Sequence, residues 1–193
     1  MSHDEIGSHF EKSLAAMTAA ARDATLLATT RTIANAIANA IGNGGKFLLA
    51  GNGGSAADAQ HLAAEFSGRF YKDREPLYAE ALHCNTSYLT AVGNDYGYDQ
   101  VYSRILRGIG KPGDVLVGIS TSGNSVNILE GMKVAKDKGM IVVSMTGSSG
   151  GKMKAGSDFL INVPSQDTPR IQEAHITIGH IICEIVETNL FGA

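Results

Sequence analysis

Residues 114–125 read DVLVGISTSGNS: an acidic residue, an apolar run, and a loop in which four hydroxyls, on Ser120, Thr121, Ser122 and Ser125, surround Gly123. A short apolar run closed by a polar, glycine-bearing loop reads as a buried strand, and the amphipathic spacing of Ser125–Lys138 then predicts a helix. The same grammar recurs in both directions. Upstream, the run 46–50 (KFLLA) ends in Gly51-Asn52-Gly53-Gly54-Ser55 and opens into a helical pattern over Ser55–Phe70. Further apolar runs lie at Leu77–Leu82, Met140–Thr146 and Asp158–Val163, with helical patterns at Thr86–Val92, Asp99–Gly108 and Pro169–Leu190. Strands alternating with helices imply a parallel sheet covered on both faces. The expected fold is therefore α/β, a three-layer αβα sandwich with five parallel strands in the doubly wound order 2-1-3-4-5. Before it, Phe10, Leu14 and Met17, then Ile33, Ile37 and Ile41, recur at steps of three or four. They predict one long or two consecutive helices, stopped at Gly42-Asn43-Gly44-Gly45. We read 1–193 as a single domain, with 1–43 a helical oligomerisation segment and 44–193 the α/β core with its C-terminal helix.

Composition narrows the functional classes. A net charge of −3 gives no support to nucleic-acid binding, which shows as a basic excess. No apolar stretch approaches the ~20 residues of a membrane span. The start, MSHDEIGSHFEKS, is polar and acidic, unlike a signal peptide, so a cytoplasmic location is expected. Cys84 and Cys183 are far apart and in no metal or redox spacing, and read as reduced core thiols. The apolar stripe of the first helices lies outside the α/β unit and predicts a homo-oligomer.

In a doubly wound sheet the ligand crevice lies beyond the carboxyl ends of strands 1 and 3, where the strand order reverses. The two most unusual loops, 51–55 and 120–125, fall at those positions, each opening into a helix whose N-terminal amides can hold an anion. In 120–125 no lysine or arginine is adjacent, which suits a monophosphate on a small molecule held by hydroxyls and main-chain amides. The same residue types also favour an ordinary N-cap and turn. The first loop loosely matches a dinucleotide fingerprint, Gly51-x-Gly53-x-x-Ala56 with Glu80 further on. No second domain for a substrate is expected, however, and the Walker pattern is absent from these residues.

His61 and Glu65 are four apart, so on a helix they share a face, rotated by about 40°. Gln172 and His180, eight apart, are rotated by about 80° and can line one stripe of the last helix. Two helices that each present a histidine and an oxygen donor suit a divalent metal, and equally an acid and a base around a substrate. A surface His–Glu pair has the same spacing.

GNGGSAADAQHLAAEF at 51–66, AVGNDYGYD at 91–99, GDVLVGISTSGNS at 113–125 and RIQEAHITIGHI at 170–181 together resemble the phosphoheptose isomerases of the sugar-isomerase (SIS) domain family. The resemblance runs from about residue 44 to the end, and the helical N-terminus fits it. It implies isomerisation of sedoheptulose 7-phosphate to D-glycero-D-manno-heptose 7-phosphate through an enediol, at the entry to the heptose units of lipopolysaccharide core. By resemblance, Ser120, Thr121, Ser122 and Ser125 hold the phosphate, while Asn52, Gly53, Gly54, Ser55, Asn94, Asp95, Glu65 and Gln172 line the sugar site. It further implies one Zn2+ per subunit on His61, Glu65, Gln172 and His180, with Glu65 and His180 catalytic, and homotetramers whose sites use more than one subunit. The expected partners are a small phosphorylated sugar and further copies of the chain, with no nucleic acid or membrane.

The segment Tyr71–Asn85 departs from the pattern in detail, with Glu80 inside the expected second strand and His83 and Cys84 after it. His83 reads as a loop or strand-end residue and His175 as structural or at a subunit contact; Arg69 and Asp167 suit a sugar hydroxyl or a surface ion pair equally. SIS domains also serve as non-catalytic sugar-phosphate sensors, and a factor that associates with the bacterial replication initiator is similar to this family. Neither role needs both Glu65 and His180. Isomerisation of another phosphorylated sugar is the second rival.

Overall fold

The computed structural model describes residues 3–192. Two helices, α1 (His3–Arg22) and α2 (Ala24–Gly42), precede strand β1 (Phe47–Gly51) and helix α3 (Gly54–Ser67). After β2 (Ala79–Ala81) come α4 (Thr86–Tyr96) and α5 (Val101–Ile109), joined by a single 3-10 turn, and then β3 (Val115–Ile119) and α6 (Val126–Asp137). Strands β4 (Ile141–Thr146) and β5 (Phe159–Asn162) lead to the last helix, α7 (Thr168–Phe191). The five strands pair in parallel in the order β2-β1-β3-β4-β5, as the alternation predicts. Register aligns Gly51, Ile119 and Met145 across β1, β3 and β4, so the loops after them leave the sheet at one level.

The acidic residue that opens the decisive stretch is structural. Asp114 accepts hydrogen bonds from the Lys46 and Lys111 amides, both at 2.9 Å, and pairs with the Lys46 ammonium at 2.6 Å. It is buried with its oxygens satisfied, the condition on which an interior carboxylate is tolerated. Every residue of β1 and β3 is buried, which accounts for their uninterrupted apolar runs. One face of the sheet is covered by α2, α3 and α7 around Ile33, Leu62 and Ile178; the other by α5 and α6 around Leu106, Ile128 and Met132.

The N-terminal segment is two helices rather than one, because Asp23 caps the second: its Oδ1 accepts from the Thr25 and Leu26 amides at 3.0 Å. The stripe on α2 is already covered within the chain, with Ile33 and Ile37 fully buried in the core that includes α7. The unpartnered apolar surface is on α1, where Ile6, Phe10 and Leu14 are exposed. β2 is shorter than its apolar run suggests. It is an edge strand, and half-buried Glu80 is accommodated there by the Tyr78 hydroxyl, which donates to Glu80 Oε2 at 3.2 Å. Cys84 is exposed, not a core thiol; Cys183 is free and buried as expected. Among the described residues, no helix is long and apolar enough to cross a membrane.

Candidate active site

The loop after β1 turns so sharply that a Cβ on Gly51 would sit 2.3 Å from the Ser55 carbonyl oxygen, and Gly53 has φ +56°. Tyr102, buried on α5, clamps this turn: its hydroxyl donates to the Gly51 carbonyl and accepts from the Gly51 amide at 3.3 Å. Burial pushes the phenol up to about 12, so it stays a donor. Asn52 is held by a reciprocal amide pair with Asn127 at the start of α6, at 2.9 and 2.8 Å, and also accepts from the Tyr98 hydroxyl at 3.3 Å. Asn127 is buried and was not legible as a site residue; it ties the loop after β1 to the loop after β3. Ser55 is buried in the first turn of α3.

Beyond β3 the hydroxyls converge. Ser120 Oγ lies 2.9 Å from Ser125 Oγ and 3.4 Å from Ser122 Oγ, and Ser122 Oγ accepts from the Asn124 amide at 3.2 Å. Ser125 holds the N-cap position of α6 without capping it, because its hydroxyl faces Ser120 instead. Gly123 has φ +66°, and a Cβ there would meet the Gly150 carbonyl at 2.4 Å, so only glycine fits. Among the described residues no lysine or arginine side chain is hydrogen-bonded or ion-paired to this cradle. A polar hollow of about 400 Å³, lined by Thr121, Ser122, Asn124, Ser148, Ser165 and Thr168, adjoins it.

On the other face of the sheet α3 meets α7. His61 Nε2 and His180 Nε2 are 2.9 Å apart and His61 Nε2 is 3.4 Å from Glu65 Oε1; the three donor atoms lie within 4.8 Å of one another. Gln172 makes a different contact: its Nε2 donates to Asp58 Oδ1 at 2.7 Å. That bond uses the amide nitrogen and leaves the Gln172 oxygen, the atom a metal would take, free of it. Asp58 was missed in the sequence, although it is one turn before His61 on the same helix face. It is 5% exposed, and its Oδ2 has no partner. Desolvation raises its pKa, opposed by the Gln172 hydrogen bond and by the charges of His61 and His180. A Cβ on Gly54 would lie 3.7 Å from Gln172 Cγ, so the loop after β1 abuts α7. The loop after β1 thus links two parts of the fold: Asn52 bonds Asn127 at the start of α6, beside the hydroxyl cradle, and Gly54 abuts Gln172, which bonds Asp58 one turn before His61.

The remaining candidates separate. Asn94 and Asp95 are exposed and bonded to each other at 2.8 Å, on the last turn of α4, three to four residues before Tyr98. No hydrogen bond among the described residues joins them to the other site residues. His83 is half-buried, its Nδ1 has no partner, and burial lowers its pKa. His175 is fully buried with Nε2 3.2 Å from the Thr146 carbonyl, so it is structural and not on a subunit surface. Arg69 and Asp167 are exposed.

The model of the SIS domain family matches residues 9–147. The chain is 55% identical over 176 residues to the phosphoheptose isomerase of Burkholderia pseudomallei (strain K96243), covering 91% of this chain and 89% of that one. It is 52% identical to the phosphoheptose isomerase of Aneurinibacillus thermoaerophilus, with 98% and 96% covered. The solved phosphoheptose isomerase of Neisseria gonorrhoeae superposes with a TM-score of 0.90 at 45% identity, over 96% of this chain and 98% of that one.

Proposed function

The chain belongs to the SIS domain family and within it to the phosphoheptose isomerases, and from that premise we propose that it converts sedoheptulose 7-phosphate to D-glycero-D-manno-heptose 7-phosphate. The observation that carries the chemistry is the meeting of Glu65, His61 and His180 between α3 and α7; the converging hydroxyls after β3, at the switch point of the sheet, support an anion cradle.

Each part then has a task. Ser120, Thr121, Ser122 and Ser125, with the free amides of the α6 N-terminus, hold the phosphate without a cationic side chain. Asn52, Gly53, Gly54 and Ser55 present the loop after β1 to the sugar, and Asn94 and Asp95, on the last turn of α4, would complete its lining. Glu65 takes the proton from the carbon beside the carbonyl, giving an enediol, and His180 returns a proton to the neighbouring carbon or moves one between the two oxygens. Gln172 has its orientation fixed by Asp58.

The donor set fits a divalent cation. His61, Glu65 and His180 present a nitrogen–oxygen donor set suited to Zn2+, and the Gln172 oxygen, which the Asp58 bond leaves free, would be the fourth ligand. When bound, Zn2+ would supply Lewis-acid stabilisation of the oxyanion that develops as the enediol forms. Glu65 as both ligand and base implies that its carboxylate moves between the two roles.

A homotetramer in the cytoplasm that supplies heptose for lipopolysaccharide is the corresponding biological reading. The self-association in this reading is supported by the exposed stripe on α1 and by an apolar groove of about 460 Å³ whose lining includes Met17, Leu27, Ile178 and Ile181, the last beside His180. A purely binding role, as in sugar-phosphate sensors, gives no reason for Glu65 and His180 to meet.

The test is a direct assay of the purified protein with sedoheptulose 7-phosphate, with and without chelator. A new heptose phosphate is expected, lost on chelation and restored by Zn2+. Glu65→Gln should lower kcat by at least about a hundredfold, the scale of a general base; near-normal turnover would remove Glu65 from that role.

A further inference from the structure

The segment between α3 and β2 departs from the regular α/β plan, and it carries a buried ion pair that the chemistry above does not use. Arg74 Nε donates to Glu187 Oε1 at 3.0 Å, and both side chains are almost fully buried. The other guanidinium nitrogens reach the end of α3: Nη2 donates to the Glu65 carbonyl at 2.8 Å, and Nη1 to the Phe66 carbonyl at 2.8 Å and the Glu75 carbonyl at 3.2 Å. These α3 carbonyls are ones a helix C-terminus leaves without intrahelical donors, and a guanidinium fork satisfies several at once. Glu187 Oε2 meanwhile accepts from the Tyr71 and Lys72 amides, both at 3.0 Å. The Lys72 ammonium donates to the Gly192 carbonyl just beyond the end of α7.

What this arrangement holds matters more than its charge. Arg74 grips the peptide of Glu65 itself, while Glu187 stands seven residues beyond His180, two turns along the same face of α7. The loop between them carries Phe70, whose ring stacks on His180 with centroids 5.9 Å apart and planes 21° apart. One ion pair therefore fixes the end of the helix that bears His61 and Glu65, the helix that bears His180, and the ring against His180.

We infer that the Arg74–Glu187 pair is a positioning clasp that sets the separation of Glu65 and His180 and seats Phe70 against the imidazole. The inference rests on the isomerase reading of those two residues. The charge pairing by itself contributes little to stability, since buried ion pairs are commonly replaced by apolar residues of similar volume at little cost; what the two side chains add is the set of backbone groups they hold in place.

The experiment compares the wild type with the double variant Arg74→Met/Glu187→Leu and with Glu187→Gln, measuring melting temperature, kcat and KM for sedoheptulose 7-phosphate, and Zn2+ affinity by competition with a chromophoric chelator. The double variant is expected to melt cooperatively but at a lower temperature, because it leaves unpaired the backbone carbonyls and amides that Arg74 and Glu187 satisfy. Its Zn2+ affinity should fall by about tenfold or more, the scale set by outer contacts that orient metal ligands. Its kcat should fall by about tenfold or more while KM changes by less than about threefold, because the phosphate cradle is untouched. Wild-type kcat and Zn2+ affinity in the folded double variant would overturn the inference, as would a lowered melting temperature with both intact. If the double variant does not melt cooperatively, Glu187→Gln, which keeps volume but cannot accept from all three donors, is read by the same criteria. Should the wild type itself fail to isomerise the sugar, the functional reading falls and Zn2+ affinity alone decides whether the clasp sets the ligand spacing.

Discussion

Replacing Gly179 by alanine adds one methyl group where α7 lies hard against α3. A Cβ built there would stand 2.6, 2.7 and 3.1 Å from Leu62 Cδ1, Cδ2 and Cγ, against the ~3.5–4.0 Å that carbon atoms prefer. The shortfall is about 1 Å. Leu62 is 3% exposed within the core, so it has little room to swing aside, and the strain must pass to the separation of the helices. Leu62 adjoins His61 and Gly179 adjoins His180, so a shift of that size falls directly on the histidine pair now 2.9 Å apart. Overpacking of this kind costs about 1–3 kcal/mol. For a chain of this length that lowers the melting temperature by roughly 3–10 °C. Misplacing reacting groups by about 1 Å costs on the order of a hundredfold in rate, so kcat should fall far more than stability does. Calorimetry and steady-state assays measure the two separately. The compensating change Leu62→Val removes the carbon that Gly179→Ala adds, and the double variant should recover most of both losses. Unchanged kcat and melting temperature in Gly179→Ala, or no recovery in the double variant, would refute the steric argument.

Ser120→Ala and Ser122→Ala each remove a hydroxyl from the anion cradle; a hydrogen bond to a charged group is worth about 1.5–3 kcal/mol, so KM should rise by roughly tenfold or more with little change in kcat, as initial-rate measurements will report. His175 gives a pH signature of its own. Burial holds its pKa at about 4, below the 6.5 of the unfolded chain, so between those values the unfolded state binds the extra proton and stability is lost as pH falls. The loss amounts to about 3 kcal/mol by pH 4, and denaturant titrations of the wild type and His175→Gln across that window should differ in slope accordingly.

The fold was legible because its strands are buried on both faces, so 46–50 and 114–119 read as plain apolar runs and the polar loops behind them mark the sheet's functional edge. Helical spacing put His61 with Glu65 and Gln172 with His180 on two helix faces that suit one site, and the resemblance named all four as one set; the spacing alone fitted a surface His–Glu pair equally. Only packing of α3 on α7 brings them together, and that depends on Gly179, whose significance is a missing side chain. Asp58 was hidden for another reason: a lone aspartate early in a helix is ordinary, and its role follows from a hydrogen bond to Gln172, 114 residues away. Asn127 and Arg74 are similar cases, each defined by what it grips across the fold. β2 was overestimated because an apolar run cannot tell a central strand from a short edge strand.

The sheet divides the labour. The hydroxyl cradle is carried by β3 and α6, supported by the layer around Ile128 and Met132, whereas the histidine–carboxylate group belongs to α3 and α7 in the opposite layer around Leu62 and Ile178. On the proposed assignment, recognition and reactivity are separately heritable: substitutions between α3 and α7 would silence turnover while leaving the phosphate grip intact. A scaffold arranged in this way gives descendants a short route from catalyst to receptor, since a molecule that still captures the sugar but no longer transforms it is already a gauge of its concentration.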